Sequence, residues 1–492
     1  MAIYAVAIIF VSTYHEVWKD EVGVFSIIRS HPNFLDALRE LKQYGHPFLW
    51  YSVLWLSYKV IHASVALKVA QIVIAVLSAW VLISKSPFTT FEKVLFLSGY
   101  FTLYEYAAIS RNYGISMLLL LVVASLYSDR FNRMILYSLA VFFLAQTHVL
   151  SWIIALFLTL ALIVESVPLR KCGDIDLKTF FISVVILLAG LALSLYTAYP
   201  GKTTIATHFF DTRFLSLAQA ATKSFFQCFF VPQKIGDLFG IKNLWVLSGF
   251  FWAFYGLIFK RPALFAIFLA SFLAFNFFFS TVYFGAMRHY GILYILFWAI
   301  FWMWRSEDNR ENKAGDIRSQ CLGLLVMVLS LPQIAMAYQA IEMEIKMDYS
   351  ASKAASDLIS KDPVLREAII ISEPSQHAEA LPYYVNNRIY FPREGRFGTT
   401  TAMRKDVITK MKYSLNELLN DAQSLKQQYG KPILILLEPG LVGGDPGERQ
   451  WAFGVSFSYS REALDRLLQS TKKVGGFYGT ISGENYEMYL YD

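Results

Sequence analysis

Charged residues are scarce in this chain, and their scarcity indicates its broad class. Only 16% of the 492 residues are charged, whereas 56% are hydrophobic and 16% are aromatic. A soluble protein cannot remove so much apolar surface from water, so we expect most of the chain to lie in lipid. The 44 basic residues against 37 acidic ones then bear on orientation in a membrane, and they do not indicate a nucleic-acid partner.

Cysteine is almost absent as well. Cys172, Cys228 and Cys321 lie far apart and share no motif, which argues against a disulfide framework and against a CxxC metal site. His377 and Glu379 have no third ligand at metal spacing. The sequence therefore requires no cofactor; a divalent metal stays open, but no motif indicates one.

Long apolar runs dominate what is present. A bilayer-spanning helix takes about 20 residues, and eleven runs approach or reach that length. They lie at about 1–13, 66–84, 94–109, 114–128, 134–147, 149–167, 179–198, 244–259, 263–281, 289–304 and 319–338. One further aromatic segment, Pro47–His62, is ambiguous because it is short and carries Lys59.

Loop charges decide whether Pro47–His62 crosses the membrane. If it lies in the interface and the N-terminus is cytoplasmic, thirteen basic residues fall in short inside loops, as the positive-inside rule requires. They are Lys85, Lys93, Arg130, Arg133, Arg170, Lys171, Lys178, Lys260, Arg261, Arg305, Arg310, Lys313 and Arg318. We therefore predict a polytopic α-helical membrane protein with about eleven transmembrane helices and with interfacial helices in a first outer loop at 14–65. A second outer loop at 199–243 is predicted to form one or two amphipathic helices on the membrane surface, which are a candidate lid over the site.

The composition changes after Lys346, where charge and turn residues become common. Strand-like segments at Glu367–Ser372 and Pro432–Leu437 alternate with helical patterns, including a long one at Thr401–Tyr429. We therefore predict a membrane domain at 1–345, followed by a small soluble α/β domain at 346–492 on the outer side. An accessory role, binding acceptor or stabilising the outer face, is expected for it.

The predicted topology gathers the conspicuous polar residues at the outer face. Acidic residues beside a bilayer are costly and usually have a function. Single members have simpler explanations, since Arg111 can snorkel and His148 can end a helix turn. Together, acid, base and imidazole at one level indicate a reaction site. The set is Asp20, Glu21, His46, Glu105, Arg111, His148, Lys202, Arg288 and His289.

The order of these motifs resembles the GT-C glycosyltransferases, polytopic enzymes that use polyprenyl-phosphate-linked sugars. An Asp-Glu pair follows the first span, His46-Pro47 opens an aromatic helix, and Glu105 to Tyr113 reads EYAAISRNY. The Thr-His pair at 147–148 and the Arg-His-Tyr run at 288–290 also fit. The likeness covers roughly residues 1–300 and is to the bacterial branch with RgtA-like, ArnT-like and protein-mannosyltransferase-like members.

The resemblance implies a sugar transfer from a polyprenyl-phosphate donor to a glycan, lipid or protein acceptor. A phosphate leaves without needing a proton, so the site needs a base for the acceptor hydroxyl and cations for the phosphate. Asp20, assisted by Glu21, is the expected base, and inversion at the anomeric carbon follows from direct displacement. Arg111 and Arg288, then His289 and His148, are expected at the phosphate. We expect acceptor or loop support from His46, Glu105, Tyr113 and Lys202.

Other classes fit part of the pattern. A lipid or glycan transporter would also be polytopic, but such folds often show repeats and mid-membrane broken spans, and no clear repeat is found. A non-catalytic scaffold would not need the acidic pair together with outer-face arginines. An O-antigen-ligase-like transferase usually places its main residues in a large later loop. The expected location is a bacterial inner membrane, with the site on the periplasmic side.

Overall fold

The structure is a computed structural model, and it describes residues 1–171, 175–199, 216–229, 244–258, 260–283, 285–310, 317–402, 404–450 and 454–492. Fifteen α-helices precede the C-terminal domain in these ranges. They are α1 Ala2–Tyr14, α2 Lys19–Ser30, α3 Phe34–Leu41, α4 Leu49–Ile61, α5 Ala66–Lys85, α6 Thr90–Leu97, α7 Tyr113–Tyr127, α8 Met134–Ala145, α9 Val149–Lys171, α10 Leu177–Ala198, α11 Leu217–Phe229, α12 Leu244–Ile258, α13 Pro262–Thr281, α14 Met287–Arg310 and α15 Ile317–Lys346.

Five of the described helices are long and apolar enough to cross a bilayer. They lie at Ala66–Lys85, Val149–Leu169, Leu177–Ala198, Pro262–Thr281 and Ile317–Lys346, and shorter apolar helices lie at Ala2–Tyr14, Tyr113–Tyr127, Met134–Ala145 and Trp245–Ile258. This confirms a polytopic helical membrane protein. The figure of eleven spans stays a prediction.

One predicted span, at 94–109, is not a single helix. Helix α6 ends at Leu97, and a π-helix runs from Tyr100 to Glu105 before the chain turns toward Arg111. Gly99 sits at the junction, where an added Cβ would lie 3.3 Å from the Phe96 carbonyl oxygen and 3.3 Å from the Thr102 hydroxyl. π-Helical turns are rare and are frequent at functional sites. Here the break turns the segment before α7 into a loop that carries Arg111.

The segment predicted to be the first outer loop, 14–65, contains short helices. The aromatic segment predicted to lie in the interface is α4, preceded by α2 and α3. Phe25 of α2 packs with Trp50 and Leu54 of α4 and with Leu67 of α5, and all four side chains are buried. Burial of this apolar surface fixes α2, and with it the acidic pair, against the start of α5.

The prediction of surface helices at 199–243 is wrong for the one helix described there, and the lid stays a prediction. Most of 199–243 lies outside the described residues, but α11 is buried in the bundle. The Phe225 and Phe229 rings lie 4.9 and 5.8 Å from Phe250, and the Ser224 hydroxyl donates to the Asn276 side-chain oxygen at 2.6 Å. The apolar face of this amphipathic helix packs on α12, α13 and α14 instead of on lipid headgroups.

The C-terminal domain is α/β, as predicted. Its central sheet has the order β3-β2-β1-β5-β9-β8, with β1 parallel to β2 and β5, and a second sheet has the order β4-β7-β6. Its helices are α16 Ser352–Lys361, α17 Pro363–Glu367, α18 Leu415–Tyr429, α19 Pro439–Val442 and α20 Arg461–Ser470, with a 3-10 helix at Ser375–Tyr383. Its strands are β1 Ile369–Glu373, β2 Ile389–Phe391, β3 Arg396–Gly398, β4 Lys412–Ser414, β5 Ile433–Leu437, β6 Gly447–Gln450, β7 Ser456–Tyr459, β8 Lys472–Phe477 and β9 Tyr486–Tyr491.

The predicted helix at Thr401–Tyr429 begins only at Leu415. A capping box starts it there, because the Ser414 hydroxyl accepts from the Glu417 backbone N–H at 3.3 Å and the Glu417 carboxylate accepts from the Ser414 N–H at 2.9 Å. The residues just before this cap form β4, which pairs with β7. Cap chemistry therefore sets the start of α18.

Candidate active site

Asp20 lies between two arginines that are distant in sequence. Its Oδ2 accepts from Arg111 Nη1 at 2.6 Å and lies 3.3 Å from Arg288 Nη2. The Asp20 side chain is 27% exposed, and the arginine side chains are 14% and 24% exposed. The structure thus brings together the predicted base and both predicted phosphate ligands in a half-buried, accessible group.

The electrostatic balance around Asp20 favours its charged form. Burial alone would raise the pKa of Asp20, but Arg111, Arg288 and Lys19 outweigh it and lower that pKa to about 2. Asp20 is also in the first turn of α2, where a carboxylate is stabilised by the helix dipole. A carboxylate held this way is fully ionised at neutral pH.

Glu21, its neighbour in sequence, has a different environment. Glu21 is 1% exposed. Its Oε1 accepts from the Ser110 N–H at 2.5 Å, and its Oε2 lies 2.9 Å from His15 Nε2. Since Ser110 directly precedes Arg111, this bond fixes the loop that presents the arginine to Asp20. Both oxygens of Glu21 are therefore engaged inside the protein.

His15 joins Glu21 to the last membrane helix, a role that the sequence did not indicate. The other ring nitrogen of His15 lies 2.7 Å from Glu344 Oε1, which also accepts from Tyr104 Oη at 2.7 Å. Burial opposes a charge on His15, but Glu21 and Glu344 outweigh it and raise the pKa of His15 to about 9. An imidazolium between two carboxylates results. The only sequence signal was a histidine at the end of the first apolar run.

Lys68 supports the same turn. Its Nζ donates to the carbonyl oxygens of Ser12 at 2.8 Å and His15 at 2.6 Å. These bonds tie the end of α1 to the start of α5. The acidic pair is therefore held from both sides, by α5 and by α15.

Three predicted histidines meet around Tyr113. The Tyr113 ring lies 5.0 Å from His148 and 5.9 Å from His289, and His46 lies 5.2 Å from His148. The Arg111 guanidinium carbon is 5.9 Å from the Tyr113 ring, so this group adjoins the Asp20 cluster. The structure thus places four predicted residues on one side of the arginines.

These imidazoles are neutral donors and not cations. Burial, with Arg111 and Arg288 nearby, lowers the pKa of His46 to about 3 and that of His148 well below its usual value. His148 Nδ1 accepts from the Leu150 N–H at 3.1 Å, which leaves its Nε2 to carry the proton. A neutral imidazole N–H can bind a phosphate oxygen without adding charge.

Among the described residues, seven buried polar atoms without hydrogen-bond partners belong to side chains around Asp20 and its two arginines. Native proteins satisfy nearly all buried donors and acceptors, so such atoms mark places where a ligand or water binds. The following side-chain atoms have no hydrogen-bond partner within the described ranges: Trp18 Nε1, Tyr44 Oη, His46 Nδ1, Tyr51 Oη, Ser110 Oγ, Tyr113 Oη and Arg288 Nε. Their chemistry, hydroxyl and N–H groups beside cations, suits an anionic ligand with many oxygens.

Two predicted site residues are not part of the arginine cluster. Glu105 is buried at the end of the π-helix and accepts from Tyr100 Oη at 2.6 Å. Lys202 lies outside the described residues. In the part of the chain that the structure describes, no three His, Cys, Asp or Glu side chains are grouped as a metal ion would need.

The C-terminal domain packs directly against α2. Three bonds of 3.1 Å join them: Val17 N–H donates to Tyr384 Oη, the Lys19 N–H to Glu484 Oε1, and Arg29 Nη1 to the Pro382 carbonyl. Sequence reasoning gave this domain only a general accessory role. The contacts place it beside Asp20.

Comparison with known proteins bears on the fold. No protein-family model matches the chain, and no curated protein matches its sequence. Among solved structures, the chain is similar to ArnT from Cupriavidus metallidurans bound to undecaprenyl phosphate, with a TM-score of 0.52 and 13% identity over 100% of this chain and 97% of the other. The chain has the ArnT fold. The apo ArnT structure agrees, with a TM-score of 0.51 and 12% identity over 100% and 98% of the two chains.

The ArnT fold spans both parts of the molecule, since the matches cover the whole chain. The expected fold is therefore confirmed, with the C-terminal α/β domain as part of it. At 13% and 12% identity, the similarity to the ArnT structures establishes the fold of this chain.

Proposed function

We propose that the protein is an inverting GT-C glycosyltransferase that moves a sugar from a polyprenyl-phosphate donor to an acceptor hydroxyl. One observation carries the proposal: Asp20 is paired with Arg111 and Arg288 among unpartnered buried polar atoms. Phosphate and carboxylate are the anions that arginine binds best, so the two arginines suit a donor phosphate. The ArnT fold supports the donor class, because the ArnT structure holds undecaprenyl phosphate.

In this proposal Asp20 stays ion-paired with Arg111 and Arg288 until the donor binds. The donor phosphate competes for the same N–H groups, and Asp20 is released as the phosphate takes its place. Loss of the arginine contacts raises the basicity of Asp20, since those cations are what lower its pKa. Donor binding and activation of the base are then one event.

The chemical step follows from these positions. Asp20 accepts the proton of the acceptor hydroxyl as its oxygen forms a bond to the anomeric carbon. The bond from that carbon to the phosphate oxygen breaks on the opposite face, and its electron pair stays with polyprenyl phosphate. Arg111 and Arg288 stabilise the released charge, and neutral His148 and His289 add N–H donors. Displacement from one face inverts the anomeric centre.

Glu21 positions the site in this scheme. Its bonds to Ser110 and His15 hold the arginine loop against α2, which preorganises the charges before substrate binds. Tyr113 and His46 line the adjoining wall and support donor or acceptor, and Glu105 supports the loop from the π-helix.

We propose that the reaction takes place at the outer face of a bacterial inner membrane. The two ends of the bundle support it: α14 carries Arg288 at its first turn and Arg305 at its far end, where Arg305 pairs with Glu92 at 2.7 Å. Arg130 and Arg261, from two more of the loops counted for the inside, pair with Glu307 near the same end of α14, opposite Arg288. A cell-envelope glycan, glycolipid or glycoprotein is the expected product.

The test uses purified protein and a panel of radiolabelled polyprenyl-phosphate sugars with an extract of membrane lipids and glycans. Wild-type protein should release polyprenyl phosphate with one donor, and Asp20→Asn should abolish release while still binding undecaprenyl phosphate. Asp36→Asn is the matched control, because Asp36 is an exposed aspartate paired with Arg39 at 2.8 Å in the same loop. No turnover with any donor would favour a transporter. Full activity of the Asp20 variant, with loss on changing loop 199–243, would favour a ligase-like enzyme.

A further inference from the structure

Glu379 of the C-terminal domain reaches into the membrane domain beside Asp20. It lies in the 3-10 helix Ser375–Tyr383 and is 5% exposed. Its Oε1 is held by the backbone N–H of Thr401 at 3.0 Å and by the Thr401 hydroxyl. Its Oε2 has no hydrogen-bond partner among the residues the structure describes, so one oxygen anchors the side chain and the other is available.

Gly23 makes this approach possible. A Cβ built at Gly23 would lie 2.9 Å from Glu379 Oε2 and 3.4 Å from Tyr44 Oη. Gly23 follows Asp20 by three residues on α2, so the two positions share a helix face one turn apart. Glu379, Tyr44 and Asp20 therefore line one surface, to which the soluble domain contributes a carboxylate.

The chemistry of this surface suits a polyhydroxylated ligand. A carboxylate oxygen and a phenol that lack partners among the described residues are groups that bind sugar hydroxyls. The two arginines contact Asp20, whereas a cation that acts on Glu379 is Lys19, whose Nζ is 3.6 Å from Glu484. The surface is thus the hydroxyl-binding side of the site.

We propose that Glu379 binds a hydroxyl of a carbohydrate acceptor and orients it toward Asp20, so that the C-terminal domain forms the acceptor subsite. This rests on the proposed function. Burial raises the pKa of Glu379 to about 7, so near neutral pH its free oxygen can serve as acceptor or donor to a hydroxyl. The soluble domain thereby selects the acceptor, and the membrane domain holds the donor.

The experiment separates the two substrates on the full chain. Binding of undecaprenyl phosphate alone reports the donor side, and the initial rate of sugar transfer against the concentration of acceptor extract, at saturating donor, gives the apparent acceptor KM. Glu379→Gln should raise that KM by about tenfold, the loss of one charged hydrogen bond, and leave undecaprenyl phosphate affinity unchanged. Gly23→Ala, which keeps every carboxylate but displaces Glu379, should change KM in the same direction.

Glu394→Gln is the matched control. Glu394 also supports the 400–402 loop, through the Ala402 N–H at 2.7 Å, but it is not in contact with Gly23. Its KM should stay at the wild-type value, and thermal unfolding of all variants checks the fold. A wild-type acceptor KM in Glu379→Gln overturns the inference, as does an equal loss of undecaprenyl phosphate affinity. Absence of polyprenyl phosphate release by the wild type overturns the proposed function, and the acceptor subsite with it.

Discussion

The two ends of the membrane bundle both contain arginine–carboxylate clusters, but they are built differently. At the far end, Arg130 donates to Glu165 at 3.1 Å and to Glu307 and the Tyr127 carbonyl at 2.6 and 2.8 Å, and it lies 3.9 Å from the Tyr127 ring. Arg261 Nε also lies 3.3 Å from Glu307 Oε2, so two arginines there are matched by two whole carboxylates. At the Asp20 end, two arginines share one carboxylate oxygen.

That difference is the one we expect between a structural cluster and the proposed site. The Arg130 cluster has its cation surrounded by acceptors, so it gains little from a ligand. The Asp20 cluster has more positive than negative charge and has donors without partners, including Arg288 Nε. An added anion would therefore be bound there and would stabilise the cluster. Four predictions test this contrast, ordered by their expected effect on transfer.

Loss of either arginine beside Asp20 should have the largest effect. Arg111→Gln or Arg288→Gln should lower the transfer rate by about 10²–10³-fold, because each removes a preorganised charge from the departing phosphate. The measurement is release of labelled polyprenyl phosphate at saturating donor. Lysine at either position should restore only part of the rate, and an unchanged rate in either glutamine variant would remove that arginine from the mechanism.

His15→Gln should reduce transfer by about tenfold, since it removes one charge-assisted hydrogen bond that holds Glu21. It should also change the pH dependence of stability. The pKa of His15 is raised from 6.5 to about 9 in the folded protein. The stability that His15 contributes is therefore complete below pH 6.5 and lost as the pH rises through 9.

Thermal unfolding across this range should show the wild-type advantage over His15→Gln shrinking as the pH rises. A gap between the two proteins that stays constant with pH would mean that His15 is not protonated in the folded state.

Tyr113→Phe should have a smaller effect, about three- to tenfold in transfer, because it removes one unpartnered hydroxyl from the histidine group and keeps the ring. The Tyr113 side chain is fully buried, and the fold should tolerate this change. Tyr137→Phe is the control, being an equally buried tyrosine in α8. Equal rates for both variants would place the donor elsewhere.

Arg130→Gln should leave the transfer rate per folded molecule unchanged. It should lower stability by about 3 kcal/mol, because it leaves Glu165 without the cation it pairs with and leaves Glu307 with Arg261 alone. The measurements are thermal unfolding in detergent and specific activity of the folded fraction. A large loss of specific activity would show that the far end communicates with the site.

Much of the architecture follows from residue patterns. Apolar runs predicted α5, α9, α10, α13 and α15, since a bilayer span needs a long apolar helix. The strands predicted at 367–372 and 432–437 are β1 and β5. The start of α18 and the π-helix at Tyr100–Glu105 were missed, because a local cap and a glycine junction override hydrophobic periodicity. The apolar character of α11 was recognised, but its partner helices are distant in sequence.

The candidate site was predicted in part. Asp20, Arg111 and Arg288 were chosen from charge and resemblance, and the fold brings them together across 91 and 268 positions in sequence. His15 and Glu344 were missed, because nothing local marks a buried imidazole whose carboxylate partner is 329 residues away. Glu379 was noted only as an incomplete metal ligand.

The sequence by itself determined that this protein lies in a membrane and which residue types occur at the Asp20 end. Composition and loop charge indicate both without any knowledge of which residues are neighbours in space. Tertiary structure alone decided what each charge does. Asp20 and Glu21 are adjacent, yet successive residues of a helix point about 100° apart. One therefore faces the arginines at the accessible surface, and the other faces His15 in the interior. Burial and distant partners separate the two carboxylates, and both depend on packing.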